Sequence, residues 1–99
     1  MAVKIFIKRR FKPGNTPKIT RLLRKARFEA MGFSGYVSSE TLSNYHDPNR
    51  VTVMSMWRTF EDWQAWKTSP ERKSNENKLE SILEEPTEYE IYNLGITEP

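Results

Sequence analysis

The sequence has no cysteine and a single histidine among its 99 residues. The lack of cysteine excludes disulfides, thiolate catalysis and cysteine-ligated metals. His46 has one adjacent carboxylate, Asp47, and this pair alone supplies too few ligands for a metal site. The sequence also lacks an apolar run of roughly 18 residues for a membrane span. We expect no signal peptide in residues 1–11, because the charges follow a short apolar segment. We therefore expect a cytoplasmic protein with no metal and no membrane partner.

Glycine-rich phosphate loops and serine nucleophile motifs are absent as well, whereas aromatic residues are plentiful. The chain has three Trp, four Tyr and five Phe, although only 36% of its residues are hydrophobic. Large aromatics bury much surface per residue, so the composition predicts an ordered domain with a modest core. Trp57 and Trp63 are expected in that core. The length fits one domain at residues 1–99, with its elements between about residues 3 and 95.

The formal net charge of +3 conceals an uneven distribution. Residues 1–30 carry a balance of +9, whereas residues 31–99 carry a balance of −6. A basic segment suggests nucleic-acid binding, but a basic half that packs against an acidic half explains the same charges. Residues 51–57, VTVMSMW, also lack the glycine-aromatic signature of ferredoxin-like RNA-binding domains. We therefore expect no nucleic-acid partner.

The spacing of apolar residues predicts the element order βαββαβ. Thr16 is expected to cap the first helix, and Gly32 is expected to end it in the left-handed conformation. Thr59 and Ser69 are expected to start the two parts of a second, broken helical segment. The predicted strands are residues 3–11, 36–43, 51–57 and 88–94, and the predicted helical segments are residues 16–31 and 59–85 with a break near 68–70.

Right-handed crossovers convert this order into a ferredoxin-like α+β fold. Its four-stranded antiparallel sheet has the strand order 4-1-3-2 and carries the helices on one face. The other face would expose Phe6, Met54 and Met56 to water. Pairing two such faces about a twofold axis would bury them and close an α+β barrel. We therefore predict a homodimer.

Residues 53–73, VMSMWRTFEDWQAWKTSPERK, resemble the signature of the antibiotic biosynthesis monooxygenase (ABM) family. That signature joins a strand ending in an aromatic residue to a Thr-capped helix, a Trp and a Ser-Pro-Glu helix restart. Residues 32–35, GFSG, resemble the bend before the family's second strand. The resemblance extends over about residues 3–95. It implies a dimeric α+β barrel with a small-molecule pocket between the helices and the sheet.

The resemblance also implies where the pocket residues lie. Haem-degrading members carry an Asn on strand one, a Trp on the second helix and an iron-ligating His. In this sequence those positions hold Ile7, Trp66 and Glu76. A carboxylate is a poor substitute for imidazole at haem iron, so haem degradation is not expected. Ile7, Phe33 and Trp66 are the expected pocket-lining residues, and no cofactor is expected.

The candidate catalytic residues are Trp66, Glu76 and Tyr36, and each has a structural interpretation beside the functional one. Trp66 would either orient a flat substrate or pack in the core. Glu76 would either act as a general base or share a solvated helix face with Glu80, which is the more common arrangement. Tyr36 would either present its phenol to the pocket or pack on the sheet.

The family resemblance favours a monooxygenase without a cofactor, acting on a small flat aromatic or quinol-like substrate. Such a substrate passes electrons directly to O₂, so the protein needs only to bind, desolvate and help deprotonate it. The alternative is a non-catalytic dimeric module of the same fold that binds a small molecule.

Overall fold

The computed structural model describes residues 1–96, in which three helices pack on one face of a four-stranded sheet. The βαββαβ order confirms the predicted ferredoxin-like fold, with the second helical segment divided in two. The elements are β1 (Val3–Arg10), α1 (Thr16–Ala30), β2 (Tyr36–Ser43), β3 (Arg50–Trp57), α2 (Phe60–Lys67), α3 (Pro70–Glu80) and β4 (Glu88–Asn93).

The sheet has the order β2-β3-β1-β4, and each neighbouring pair is antiparallel. This is the predicted 4-1-3-2 order. Along β1, Val3, Ile5 and Ile7 are buried and alternate with partly exposed residues. Because successive side chains of a strand point to opposite faces, the buried set lies under the helices. Arg9 continues this buried set.

The start of α1 differs from the sequence prediction by one residue. Asn15 is the N-cap residue, and Thr16 is the first residue of the helix. The side-chain nitrogen of Asn15 donates to the carbonyl oxygens of Lys12 and Pro13, at 2.9 and 3.3 Å. These bonds hold the turn before the helix, so that the N-cap is Asn15 and not the predicted Thr16.

The bend after α1 also differs from the prediction, because the left-handed residue is Gly35 and not Gly32. Met31 ends the helix in the right-handed conformation. Gly35 has a φ of +86°, and a Cβ atom there would collide with the carboxylate of Asp62. The chain therefore needs glycine at position 35 both for its backbone and for the approach of α2.

The third helix ends at Glu80, five residues before the predicted end at residue 85. The Ser81 hydroxyl donates to the Lys78 carbonyl at 2.7 Å. Such a side-chain bond competes with the backbone hydrogen bonds that would continue the helix. The chain then pairs with the end of β1, where Glu84 N donates to Arg10 O at 2.8 Å, and with the residues just after it, where Lys12 N donates to Ile82 O at 2.9 Å. Residues 81–85 thus leave the helix because β1 supplies hydrogen-bond partners.

The break between α2 and α3 is as predicted. Thr59 Oγ1 accepts a hydrogen bond from Asp62 N at 3.1 Å and caps α2. Ser69 Oγ accepts one from Arg72 N at 3.3 Å and caps α3. Pro70 occupies the first position of α3, where its missing N–H costs nothing.

The core between the sheet and the helices has an aromatic half and an aliphatic half. Trp57 and Trp63 are fully buried with Val3 and Ile5, which confirms their predicted place in the core. The second cluster surrounds Phe11 and includes Leu22, Val51 and Leu79.

The opposite sheet face carries apolar and charged residues side by side and is called the open face below. Phe6 packs edge-on against Tyr92, with 5.5 Å between the ring centroids. Leu42 and Tyr92 are 46% and 51% exposed. Lys8 Nζ lies 2.8 Å from Glu90 Oε1 on the same face. Within residues 1–96, none of the helices is long and apolar enough to cross a membrane.

Candidate functional site

A small cavity lies between the helices and the covered face of the sheet. Its volume is about 50 Å³, and its walls come from α1, α2, α3 and the first three strands. All five residues predicted to form a site lie in or next to it. Ile7, Tyr36, Trp66 and Glu76 line the cavity, and Phe33 packs edge-on behind Trp66 with 5.1 Å between the ring centroids.

The aromatic wall of the cavity is formed by Trp66 and Tyr36. Trp66 is 5% exposed, at the end of the short helix that Thr59 caps. The Tyr36 hydroxyl is 2.7 Å from Ser39 Oγ, and both residues lie on the helix-facing side of β2. This wall offers a flat indole for stacking and hydroxyl groups for hydrogen bonds.

A cluster of buried charges forms the other wall. Arg9 comes from β1, and Arg72 and Glu76 come from α3. A guanidinium nitrogen of Arg9 donates to Glu76 Oε1, and Arg72 Nη2 lies 3.4 Å from the same oxygen. Arg72 also donates to the Tyr89 hydroxyl at 2.8 Å. One carboxylate therefore serves two guanidinium groups.

The position of Glu76 corrects the expectation of a solvated helix face. Glu76 is 9% exposed because the face of α3 that carries it packs inward, whereas Glu80 is exposed. The same face carries Arg72, Asn75 and Leu79, all buried. Spacings of three and four residues put these side chains in one row along the helix.

The sequence analysis missed Arg9, Arg72 and Asn75 as cavity residues. The alternation that buries Ile5 and Ile7 was an available signal for Arg9. Asn75 Nδ2 donates to the Leu22 carbonyl of α1 at 2.9 Å. Within residues 1–96, Arg9 Nε and Asn75 Oδ1 are buried without a hydrogen-bond partner. The cavity therefore contains an unused donor and an unused acceptor.

The residues of this cavity do not fit haem. The carboxylate of Glu76, which the family resemblance puts in place of an iron-ligating histidine, is held by Arg9 and Arg72. The single histidine, His46, lies in the exposed turn between β2 and β3. In the described part of the chain, no group of three histidine or acidic side chains is placed to hold a metal ion.

A wider groove adjoins the cavity between α1 and the edge strand β2. Its volume is about 580 Å³. Leu23, Arg27 and Thr41 line both the groove and the cavity. The groove falls in the size range of roughly 300–1,000 Å³ that is typical of ligand pockets. The cavity and the groove therefore share part of one wall.

Comparisons with known proteins agree with this architecture. The family model for antibiotic biosynthesis monooxygenases matches residues 2–74. No curated protein matches the chain by sequence. A conserved protein from Methanosarcina mazei superposes with a TM-score of 0.87 at 20% identity, covering 93% of this chain and 91% of that one. SnoaB from Streptomyces nogalater, described as a cofactor-independent oxygenase, superposes with a TM-score of 0.82 at 13% identity, covering 100% and 99%.

Proposed function

This chain belongs to the antibiotic biosynthesis monooxygenase family, and we propose that it is a cofactor-free monooxygenase of a small, flat, quinol-like aromatic. The observation that carries the proposal is the cavity lined by Trp66, with a groove adjoining it, in a fold shared with a cofactor-independent oxygenase. The cytoplasmic location expected from the sequence remains part of the proposal.

The proposed reaction needs no external reductant. A hydroquinone and one O₂ give a hydroxyquinone and one water, so the substrate supplies all the electrons. One oxygen atom enters the ring and the other leaves as water with the two released hydrogens. In this proposal the ring lies in the groove, and Trp66 and Ile7 contact the end of the substrate that enters the cavity and so orient the ring. The Phe33–Trp66 pair excludes water from that end. Tyr36 and Glu76 are the proposed proton acceptors of the cavity.

Oxygen uptake with 1,4-dihydroxynaphthalene tests the proposal. We expect protein-dependent O₂ consumption above autoxidation, with one atom of ¹⁸O₂ in the product. Trp66→Phe should lower kcat/KM by about tenfold or more, because a misplaced ring loses orientation. Tyr45→Phe is the matched control, since Tyr45 is 92% exposed in the β2–β3 turn. Uptake at the autoxidation rate across a panel of hydroquinones would contradict the proposal.

A non-catalytic small-molecule binder remains the second candidate, and the state of Glu76 favours it. The carboxylate oxygen of Glu76 that faces Arg9 and Arg72 is already engaged by both. An oxygen that two guanidinium groups already occupy does not face a ligand as a free hydrogen-bond acceptor. Saturable binding of the hydroquinone without O₂ uptake would select this candidate.

The homodimer is also part of the proposal, with the open face as the interface. Phe6, Leu42 and Tyr92 on this face would be buried by a second copy. Met54→Lys should turn a dimer into a monomer in analytical ultracentrifugation. Phe28→Lys is the control, because Phe28 is 79% exposed on α1. A monomeric wild-type protein would contradict the proposed dimer.

A further inference from the structure

The lining of the cavity carries more cationic than anionic groups. Arg9, Arg27 and Arg72 line it, against the single carboxylate of Glu76. The side chains of Arg9 and Arg72 are only 4% and 8% exposed, and guanidinium groups stay protonated in proteins. A buried charge without a partner is costly. Two buried cations that share one carboxylate therefore leave the site short of one anion.

The hydrogen bonds of Arg9 and Arg72 also indicate a missing acceptor. Arg72 has partners in Glu76, the Tyr89 hydroxyl and the face of the Tyr89 ring. Arg9 uses one terminal nitrogen for Glu76, and its Nε has no partner within residues 1–96. Buried donors are nearly always satisfied. The group that would satisfy this donor and balance the charge is an anionic oxygen.

The groove between α1 and β2 shares three lining residues with the cavity that Arg9 lines. The cavity holds only about 50 Å³ and so accepts a substituent, whereas the adjoining groove of about 580 Å³ accepts a ring system. Arg27 lies on the shared wall and is exposed. A ligand that enters from the groove would therefore pass one cation and reach a second, buried one.

We propose that Arg9, with Arg72 beside it, forms a subsite for an ionised oxygen on the aromatic ligand. This inference rests on the proposed function for the ring and adds the chemical class of its substituent, a carboxylate or a phenolate. Glu76 both positions the two guanidinium groups and competes with the ligand for them. A ligand that arrives ionised also relieves Glu76 and Tyr36 of the task of removing that proton.

The test compares two probes of equal shape, 2-naphthoate and 2-naphthamide, by calorimetric titration of the full chain at neutral pH. We expect naphthoate to bind roughly tenfold or more tightly, the factor typical of a charge-assisted hydrogen bond. Arg9→Gln should abolish this preference. Glu76→Gln should increase it by strengthening naphthoate binding alone, because the competing carboxylate is removed. Lys25→Met, an exposed charge removal on α1, should change neither affinity.

The two variants should change the preference for naphthoate in opposite directions. A general loss of structure would instead weaken the binding of both probes in both variants. Equal binding of both probes, or a preference that survives in Arg9→Gln, would overturn the subsite while the aromatic pocket stands. Binding of neither probe would overturn both. Naphthoate binding without O₂ uptake on any hydroquinone would support the subsite and contradict only the oxygenase. Binding of 4-nitrophenol in its ionised form alone would extend the subsite from carboxylates to phenolates.

Discussion

Lys8 and Arg9 are neighbours on β1, and each forms an ion pair with a glutamate. The two ion pairs lie on opposite faces of the sheet. Lys8 and Glu90 meet on the open face with side chains 44% and 43% exposed. Arg9 and Glu76 meet under the helices with side chains 4% and 12% exposed. The alternation of side chains along a strand is enough to separate the two pairs. Solvent screens the first pair, whereas the second is deprived of water and depends on its partners.

Ile5 and Phe6 repeat this contrast with apolar side chains. Ile5 is completely buried among the core tryptophans. Phe6 lies half-buried on the open face against Tyr92. One step along β1 thus moves a side chain from the core and cavity of one chain to the proposed interface between two. The two faces of the strand should therefore respond differently to substitution.

The largest effect is expected from Glu76→Met on the covered face. This change leaves the guanidinium groups of Arg9 and Arg72 buried without their shared carboxylate. Removing one partner from a buried ion pair costs about 3–5 kcal/mol of unfolding free energy. Urea unfolding at fixed protein concentration measures the loss. A loss no larger than that of an exposed substitution would show that the cluster is solvated.

Arg9→Met is the internal control for this prediction. It leaves Arg72 3.4 Å from Glu76, so the remaining pair is still balanced. The loss of stability should therefore be smaller than for Glu76→Met. Equal losses in the two variants would mean that side-chain packing, and not the charge balance, determines the stability of the cluster.

Ile5→Ala and Phe6→Ala test whether apolar residues on the two faces of β1 contribute differently to stability. Ile5→Ala should cost roughly 2–5 kcal/mol of unfolding free energy at every protein concentration, because it leaves a cavity in the core. Phe6→Ala should cost less in dilute protein, and its cost should grow with concentration as the wild type gains stability from the dimer. The measurement is urea unfolding over a range of protein concentrations. A Phe6→Ala effect independent of concentration would place the interface elsewhere.

The fold was predictable because local signals agreed with one another. The alternation of Val3, Ile5 and Ile7, and the caps at Thr59 and Ser69, each indicated an element that the structure contains. The errors lay at element ends, where tertiary contacts decide. Residues 81–85 left the predicted helix because β1 offered hydrogen bonds from a distant part of the chain.

The cavity was predictable only in part. Family resemblance indicated Trp66 and Ile7, and the period of β1 could have indicated Arg9. Glu76 was expected on a solvated helix face with Glu80, because charged residues on a helix usually mark its outer face. Arg9 and Glu76 are 67 residues apart in sequence, and neither explains the burial of the other until the fold brings them together.

The smallest effect is expected from Lys8→Met on the open face. The hydrogen bond from Lys8 lowers the pKa of Glu90 from its ordinary 4.5, and the bond to Glu90 raises the pKa of Lys8 from 10.5. The pair therefore contributes stability above pH 4.5 that is lost as the pH falls through the lowered pKa of Glu90. At the alkaline end, its contribution is present below pH 10.5 and is lost as the pH rises through the raised pKa of Lys8.

Thermal unfolding should show a slightly lower Tm for the variant at neutral pH and no difference at the acid end or in about 1 M salt, where screening acts over roughly 3 Å. A difference that persists in acid and in salt would mean that Lys8 acts through its aliphatic stem, and the contrast between the two faces would then be one of packing and not of charge.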